Sequence, residues 1–245
     1  MRLATCLLCL FLALPPCPAG AQTLVLNTDG AAPHSRADGS GFEDRIVTEA
    51  FRRAGAAVRL LRLPSERALQ NANQGLDDGN FPRIAGLERL YPNLVMVPES
   101  MSSFPCAAFT RDPGLTALAW ADLRGPQVAY VLGWKLVELN VPAVQTLQHV
   151  RDQETLFALL DKGRARIVLA DLHTGREIIR RKGYRNMRAL LPPLADPPMF
   201  LYLHKRHADL VPRLAEALRE MKRDGTMKRL TRDGLAGVGL AGTAQ

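Results

Sequence analysis

The sequence predicts an α/β protein built from two similar half-domains, each with parallel strands and helices on the faces of its sheet. Strand and helix patterns alternate over residues 24–81, and the same alternation returns over residues 127–183. Such alternation is typical of parallel sheets, because a strand, a crossover helix and the next parallel strand form one packing unit.

The first half-domain alternates three strands with two helices. Apolar residues recur at the spacing of one helical face over residues 42–54, and Gly55 is predicted to end that helix. A Pro-Ser pair at residues 64–65 opens the second helix, which ends at Gly75. The predicted strands cover residues 24–27, 58–63 and 77–81.

The second half-domain repeats this order. A helix follows the turn at Gly133, a second helix is capped by Asp152 and ends at residues 162–163, and Gly183 stops a third. The run Thr174–Glu177 has the form of a capping box and predicts the start of the third helix. The predicted strands cover residues 127–132, 146–147 and 167–170.

Two irregular, proline-containing segments, residues 98–110 and 191–203, are the candidates for crossings between the half-domains. A last helix then places apolar residues on one face and is predicted to end at Asp224-Gly225 and to pack on the first half-domain. The glycine- and alanine-rich chain after Asp233 is predicted to fray. The residues of that apolar face are Leu210, Leu214, Leu218 and Met221.

The first residues have the pattern of a secretory signal. Arg2 precedes an apolar run of about a dozen residues, and small residues precede Gln22, so cleavage is predicted after Ala21. A retained membrane anchor is the first alternative, but the run is shorter than the roughly 20 residues that span a bilayer. A lipoprotein acylated at Cys17 is the second alternative. The leader predicts a periplasmic protein.

Composition narrows the function classes. Of four cysteines only Cys106 follows the leader, which leaves no intrachain disulfide and no cysteine metal cluster, so Cys106 is predicted to be a small buried residue. The net charge of +8 comes from scattered basic residues, and the 6% aromatic content is low for a base-stacking platform, so nucleic acid is not an expected partner. No metal or nucleotide motif is present in the sequence, and no cofactor is predicted.

Four ordered stretches resemble the periplasmic solute-binding proteins of family 3, the amino-acid-binding-like substrate-binding proteins of ABC transporters. Each stretch is short, but together they span nearly the whole chain after the leader. They are Gly39–Glu43, Asn73–Gly79, Trp120–Val128 with Gly133, and Tyr202–Lys205 with Met221–Thr226.

The resemblance implies a type II clamshell of two lobes joined by two hinge crossings, which closes on its ligand. Residues 1–21 would be the signal peptide, residues 22–102 plus 203–245 the first lobe, and residues 103–202 the second lobe. The expected partners are a small-molecule solute and a membrane permease or a sensor protein, and we expect a monomer.

Ligands of open parallel sheets bind beyond the carboxyl ends of strands, which directs attention to charged residues there. Arg83 follows a predicted strand, and the resemblance implies an arginine near it that holds a ligand carboxylate, with Arg89 as a competing candidate. Arg67 begins a helix near the cleft, although it could simply pair with Glu66. Asp171 ends a strand where the resemblance implies an acid for the ligand amine, and helix capping is its alternative role.

Gly133 and Trp134 begin a helix whose backbone N–H groups could accept an anion, and Trp134 could cover an apolar part of the solute or belong to the core. His34 lies where the family has an aromatic residue that stacks on the ligand, and no Phe, Tyr or Trp occurs over residues 27–36. The family's serine- and threonine-rich stretch before the arginine is replaced by Gly79–Pro82. These departures argue against a standard amino acid as the ligand.

The predicted function is therefore binding of a small polar or acidic, possibly amino-acid-like, solute for ABC-type uptake. A sensor module is the alternative. A dehydratase-like enzyme on the same fold is a weaker one, for which Glu43, Glu66, Asp171 and His34 could act as acid or base, but no spacing among them marks a catalytic pair.

Overall fold

The computed structural model describes residues 23–124, 127–142 and 147–236, and it confirms the predicted α/β class with two lobes, each built on its own sheet. The strands of the first sheet are β1 (Thr23–Thr28), β2 (Ala57–Arg62), β3 (Gly79–Arg83), β4 (Leu94–Met96), β5 (Ser102–Ser103) and β11 (Pro198–His204). Those of the second are β6 (Cys106–Thr110), β7 (Val128–Val131), β8 (Leu147–Val150), β9 (Ile167–Asp171) and β10 (Arg188–Ala189).

The helices lie between these strands in the chain. Those of the first lobe are α1 (Phe42–Arg53), α2 (Ser65–Gln74), α6 (Val211–Arg223) and α7 (Thr226–Leu235). Those of the second lobe are α3 (Lys135–Asn140), α4 (Gln153–Asp161) and α5 (Leu172–Lys182). Short 3₁₀ turns cover Leu87–Arg89, Trp120–Arg124 and Lys205–Leu210.

The first sheet has the strand order β2-β1-β3-β11-β4, with β5 paired to β11. Strand β1 is parallel to both β2 and β3, whereas β11 returns antiparallel to β3. One hydrophobic cluster joins the sheet to α1, α6 and α7, and a separate cluster that includes Leu69 of α2 and Tyr202 of β11 fills the other side. Because β1 and β3 are parallel neighbours, their carboxyl ends lie side by side.

The second sheet has the order β10-β6-β9-β7-β8, with β7 parallel to both neighbours and β6 antiparallel to β9. Its core includes Phe109 and Phe157, whose rings meet edge to face with centroids 5.1 Å apart. Cys106 is fully buried in this core, as predicted, and burial, with a contribution from nearby Asp171, raises the pKa of its thiol to about 12.

The hinge consists of two antiparallel crossing segments that bind each other. Strand β5 pairs with the start of β11, and the bonding continues toward the second lobe, where the Phe104 N–H donates to Pro197 and the Cys106 N–H to Ala195. These segments fall within the predicted crossings. Strand β11 lies wholly in the first sheet, although the boundary drawn from the sequence placed Pro198–Tyr202 with the second lobe.

Two details of the helices differ from the prediction. The capping box at Thr174–Glu177 is wrong: α5 begins at Leu172, and its N-cap is Asp171, whose Oδ1 accepts the Thr174 N–H at 2.7 Å. An extra helix, α7, follows Gly225 and packs on α1, so the helix before it is not the last.

None of the helices in the described ranges is both long enough and apolar enough to cross a bilayer. The leader, its cleavage after Ala21 and the lipoprotein alternative at Cys17 lie outside the described residues.

Candidate ligand-binding site

A cavity lies between the two lobes, next to the hinge and at the carboxyl ends of strands from both sheets. The space in it that is open to the centres of water-sized molecules is about 60 Å³. The first lobe supplies Asp29, Gly30, Ala31, His34, Glu43, Pro82, Arg83, Ile84 and Leu87; the second supplies Trp134, Lys135, Leu136, Gln153, Asp171 and Thr174; and the hinge segments supply Phe104 and Met199.

An ion triad crosses the cleft at the floor of this cavity. His34, in the loop after β1, places Nδ1 3.1 Å from Oε1 of Glu43 and Nε2 2.9 Å from Oδ1 of Asp171. Glu43 belongs to the first turn of α1 and Asp171 to the second lobe, so the imidazole joins the lobes. The Glu43 and Asp171 residues are each 1% exposed.

The two carboxylates hold the imidazole in its charged form. Burial alone lowers the pKa of His34, but the charges and hydrogen bonds of Asp171 and Glu43 outweigh it and raise that pKa well above its ordinary value. Burial likewise acts to raise the pKa of Asp171, and the His34 charge outweighs it and lowers that pKa. His34 is therefore an imidazolium shared between two carboxylates.

Three residues that line the cavity each have a buried oxygen with no hydrogen-bond partner among the described residues: Oε2 of Glu43, Oδ2 of Asp171 and Oε1 of Gln153. Buried acceptors without partners are costly, by about 1–3 kcal/mol each, so native sites satisfy them with water or ligand. The lining residues therefore include three acceptors that a donor would satisfy.

Arg83, at the end of β3, is a positively charged residue of the cavity lining. Its Nη2 lies 3.1 Å from Oδ1 of Asp29, Nη1 donates to Oγ of Ser65 at 2.8 Å, and Nε donates to Asn80. The other oxygen of Asp29 accepts from the indole Nε1 of Trp134 at 2.9 Å. Because Trp134 belongs to the second lobe, this chain is a second polar connection across the cleft.

Lys135 makes a third connection. Its Nζ lies 2.9 Å from Oε2 of Glu66 in the first lobe and 2.6 Å from Oε2 of Glu138 in its own helix, and it stands 5.9 Å from the centre of the Tyr91 ring. Burial would lower the pKa of Lys135, but the two carboxylates raise it.

Gly133 is a point of close backbone approach between the lobes. Its φ is +92°, and an added Cβ would lie only 2.9 Å from Cα of Glu66. Its N–H, which the sequence offered to an anion, donates to Oε1 of Glu138 at 2.7 Å.

Beyond Asp29 and Trp134 lies a larger space of about 670 Å³, which shares Asp29, Ala31, Trp134 and Gln153 with the inner cavity. Arginines from both lobes line it, Arg36 and Arg62 on one side and Arg151 and Arg181 on the other. The Asp29–Trp134 pair therefore separates an inner cavity from an outer vestibule. Within the described ranges, no group of three or more His, Cys, Asp or Glu side chains is placed to hold a metal ion.

Comparison with solved structures assigns the fold. A histidine kinase sensor domain with similarity to periplasmic binding proteins superposes with a TM-score of 0.73 at 18% identity, over 87% of this chain and 96% of that one. The substrate-binding protein of an amino acid ABC transporter gives a TM-score of 0.72 at 15% identity, over 86% and 98%. The chain has the two-lobed fold of the type II periplasmic binding proteins. The predicted clamshell is thereby confirmed.

Comparison of sequences assigns neither a family nor a function to the chain. No protein-family model matches the chain. An uncharacterised protein of Shewanella oneidensis is 27% identical over 196 residues, which cover 77% of this chain and 74% of that protein.

The type II fold brings four of the predicted site residues to the inner cavity: His34, Arg83, Trp134 and Asp171. Gly133 adjoins them at the lobe contact. Arg67 is exposed on α2, and Arg89 is exposed on the 3₁₀ turn after β3, so of the three candidate arginines the cavity receives Arg83.

Sequence reasoning missed Asp29, Gln153 and Lys135, and it considered Glu43 only as a possible catalytic acid or base. Two signals were available. Asp29 directly follows β1 at the edge where ligands of this fold bind, and Glu43 stands in the apolar face of α1, four residues before Val47. An acid in a buried helical face requires a partner.

Proposed function

We propose that the chain is an exported solute-binding protein that closes on a small solute carrying an amino group. The observation that carries this proposal is the set of unpartnered acceptors: Glu43 and Asp171 face one cavity from opposite lobes, and each keeps one carboxylate oxygen without a partner among the described residues. An ammonium group donates up to three hydrogen bonds and accepts none, which matches such a site.

The arrangement gives the solute a way to favour closure. An ammonium bound between Glu43 of the first lobe and Asp171 of the second makes contacts that exist only when the lobes meet. Hydrogen bonds to charged groups contribute about 1.5–3 kcal/mol each, so two of them shift an open–closed equilibrium strongly toward the closed state.

The remaining predicted residues take supporting roles in this proposal. Trp134 forms, with Asp29, the wall between the inner cavity and the vestibule, and Arg83 lines the inner cavity and holds Asp29. His34 holds the two carboxylates in place, and Gly133 lets the lobes approach. Arg67 and Arg89 have no part in the inner cavity.

Two destinations of the bound solute are in keeping with the fold. One solved neighbour is a substrate-binding protein of an amino acid ABC transporter, which favours delivery to a membrane permease. Another is a histidine kinase sensor domain, which favours a sensor partner. We propose uptake as the first function and sensing as the alternative, with the protein acting outside the cytoplasm as a binding protein and not as an enzyme.

The test is a thermal-shift screen of the protein against a library of small amines, amino acids and organic acids. A solute present at 100 times its dissociation constant stabilises the folded state by about 2.7 kcal/mol, which is readily measured. We expect hits among compounds with an amino group, and mass spectrometry of a hit after incubation should return it unchanged. Hits confined to compounds without an amino group would contradict the proposal.

Asp171→Asn is the decisive variant. Asparagine keeps the shape and caps α5, but it removes the charge that attracts the ammonium, so the solute affinity should fall about tenfold or more. Asp224→Asn is the control, because Asp224 accepts the Thr226 N–H at 2.8 Å at the start of α7 and lies outside both the inner cavity and the vestibule. Equal affinity of both variants would remove Asp171 from the site.

A further inference from the structure

The charges of the inner cavity are unequally balanced, and this imbalance bears on the chemical class of the solute. In the triad, two carboxylates share one imidazolium, which leaves one net negative charge. The Arg83–Asp29 pair, by contrast, is neutral. Lys135, the remaining cation of the lining, lies against the carboxylates of Glu66 and Glu138, so its charge is balanced by partners outside the cavity. A solute that completes this cavity needs one positive charge and no negative charge.

The guanidinium of Arg83 is already occupied by the chain itself. Each of its three nitrogens has a partner: Nε donates to Asn80, Nη1 to Ser65, and Nη2 lies 3.1 Å from Oδ1 of Asp29. The Asp29 carboxylate thus fills the position from which a solute carboxylate would bind Arg83. It is itself held in place by the indole N–H of Trp134 at 2.9 Å.

The buried side-chain atoms of the described cavity lining that lack a hydrogen-bond partner are all acceptors. They are oxygens of Glu43, Asp171 and Gln153, residues that are 1%, 1% and 8% exposed. An ionised carboxylate of a solute has acceptor atoms only, so it could not form hydrogen bonds with these oxygens. The rest of the lining is largely apolar and includes Ile84, Leu87, Phe104, Leu136 and Met199. Such a surface suits a short hydrocarbon group attached to the ammonium.

We propose that the solute is a small monoamine that lacks a carboxylate, the class of product that decarboxylation of an amino acid supplies. The proposal rests on the proposed function, since it specifies the solute of the same cavity. Asp29 acts as the specificity residue: it neutralises Arg83 and excludes amino acids, while the triad binds the ammonium.

Two matched sets of compounds test the amino group and the carboxylate of an amino acid separately. The first set is 3-methylbutylamine, L-leucine and 4-methylpentanoate, and the second is isobutylamine, L-valine and 3-methylbutanoate. Within each set the side chain is constant, and the compounds carry the amine alone, both groups, or the carboxylate alone. Binding is measured by calorimetry on the full chain. We expect the amine to bind at least about tenfold more tightly than the amino acid, because the amino acid leaves a buried carboxylate without a donor.

Asp29→Ala tests the specificity residue directly. It frees the Arg83 guanidinium and makes room beside it, so L-leucine or L-valine should gain at least about tenfold in affinity over the wild type. Asp29→Asn is the second variant, which keeps the shape while removing the charge should Asp29→Ala fail to fold. Asp112→Ala is the matched control, because it removes the acid of another Arg–Asp pair, with Arg166 at 2.6 Å, outside the cavity.

The outcomes distinguish this inference from the proposed function. If L-leucine or L-valine binds the wild type as tightly as its amine, the inference is overturned while the proposed function stands. If the carboxylates alone bind, both are overturned. If none of these compounds with an amino group binds while the library screen finds other amino compounds, the inference alone is overturned. A gain of amino-acid affinity in the Asp29 variants, absent from Asp112→Ala, supports the assignment of Asp29.

Discussion

His34 is the residue through which pH acts on the cleft. It is buried between Glu43 and Asp171, with the His173 ring centre 6.3 Å from its own, and its pKa is raised well above the ordinary value of 6.5 because the two carboxylates outweigh its burial. A group whose pKa is higher in the folded state stabilises that state when it is protonated. The stability contributed by His34 is therefore complete below about pH 6.5 and is lost as the pH rises through the raised value.

Asp171 determines how the stability of the same cluster falls at low pH. The pKa of Asp171 is lowered from 3.8, since the His34 charge outweighs burial. Its contribution to folding stability is therefore present above pH 3.8 and is lost as the pH falls through the lowered value.

We expect the melting temperature of the wild type to exceed that of His34→Gln between these two pH limits, and the difference to shrink as the pH rises toward 9. His149→Gln, at an exposed histidine of β8, is the control, and a constant difference from pH 5 to 9 would contradict the assignment.

Residues of the site were predictable to different degrees. Arg83 and Asp171 stand at strand ends, and strand ends can be read from a sequence. Their partners could not be read in the same way: Asp29 and Arg83 are 54 positions apart in the chain, and His34 meets Asp171 across 137 positions, only after both lobes have formed and closed. Pairing of this kind depends on tertiary geometry, which no local pattern encodes.

At the scale of elements, the turn between β7 and α3 controls how closely the lobes approach. Gly133→Ala would place a Cβ against the backbone of Glu66 in the other lobe, besides straining a residue with φ of +92° at a cost of about 1–3 kcal/mol. We expect lower thermal stability and a loss of solute affinity, because the closed state is the one that is blocked.

Gly163→Ala separates these two effects. Gly163 also has a positive φ, +65°, but nothing lies within 4 Å of an added Cβ. Both variants should therefore melt at a lower temperature, and only Gly133→Ala should bind the solute more weakly, as measured by calorimetry. Equal affinities would show that the turn does not limit closure.

Helix ends were predictable where glycine fixes them, and less so where side chains compete for the same N–H group. Gly75 and Gly183 end α2 and α5 in left-handed conformations, as their positions indicated. The start of α5 was misplaced because Asp171, three residues before Thr174, accepts the Thr174 N–H, so Thr174 lies inside the helix and cannot cap it. Helix α7 was missed because Gly234 interrupts its pattern, although that glycine packs against the Phe42 ring.

At the scale of the whole molecule, three polar connections among the described residues join the lobes: His34–Asp171, Asp29–Trp134 and Glu66–Lys135. The two residues of each connection belong to different lobes. The closed arrangement is therefore a balance between these contacts and the hydration of the same groups in an open cleft.

Lys135→Met tests that balance, because it removes the pair with Glu66 and leaves the sheets of both lobes intact. The two side chains are 14% and 32% exposed, so the pair is worth about 1 kcal/mol, which corresponds to about a fivefold change in the ratio of closed to open molecules. In small-angle X-ray scattering we expect the radius of gyration, about 18 Å for a compact chain of this length, to increase in the variant and to return to the wild-type value when a solute found in the screen is added. Arg166→Met, which breaks the exposed pair with Asp112 inside the second lobe, should leave the radius unchanged. The same radius in all three proteins would mean that the Lys135–Glu66 pair does not hold the cleft closed.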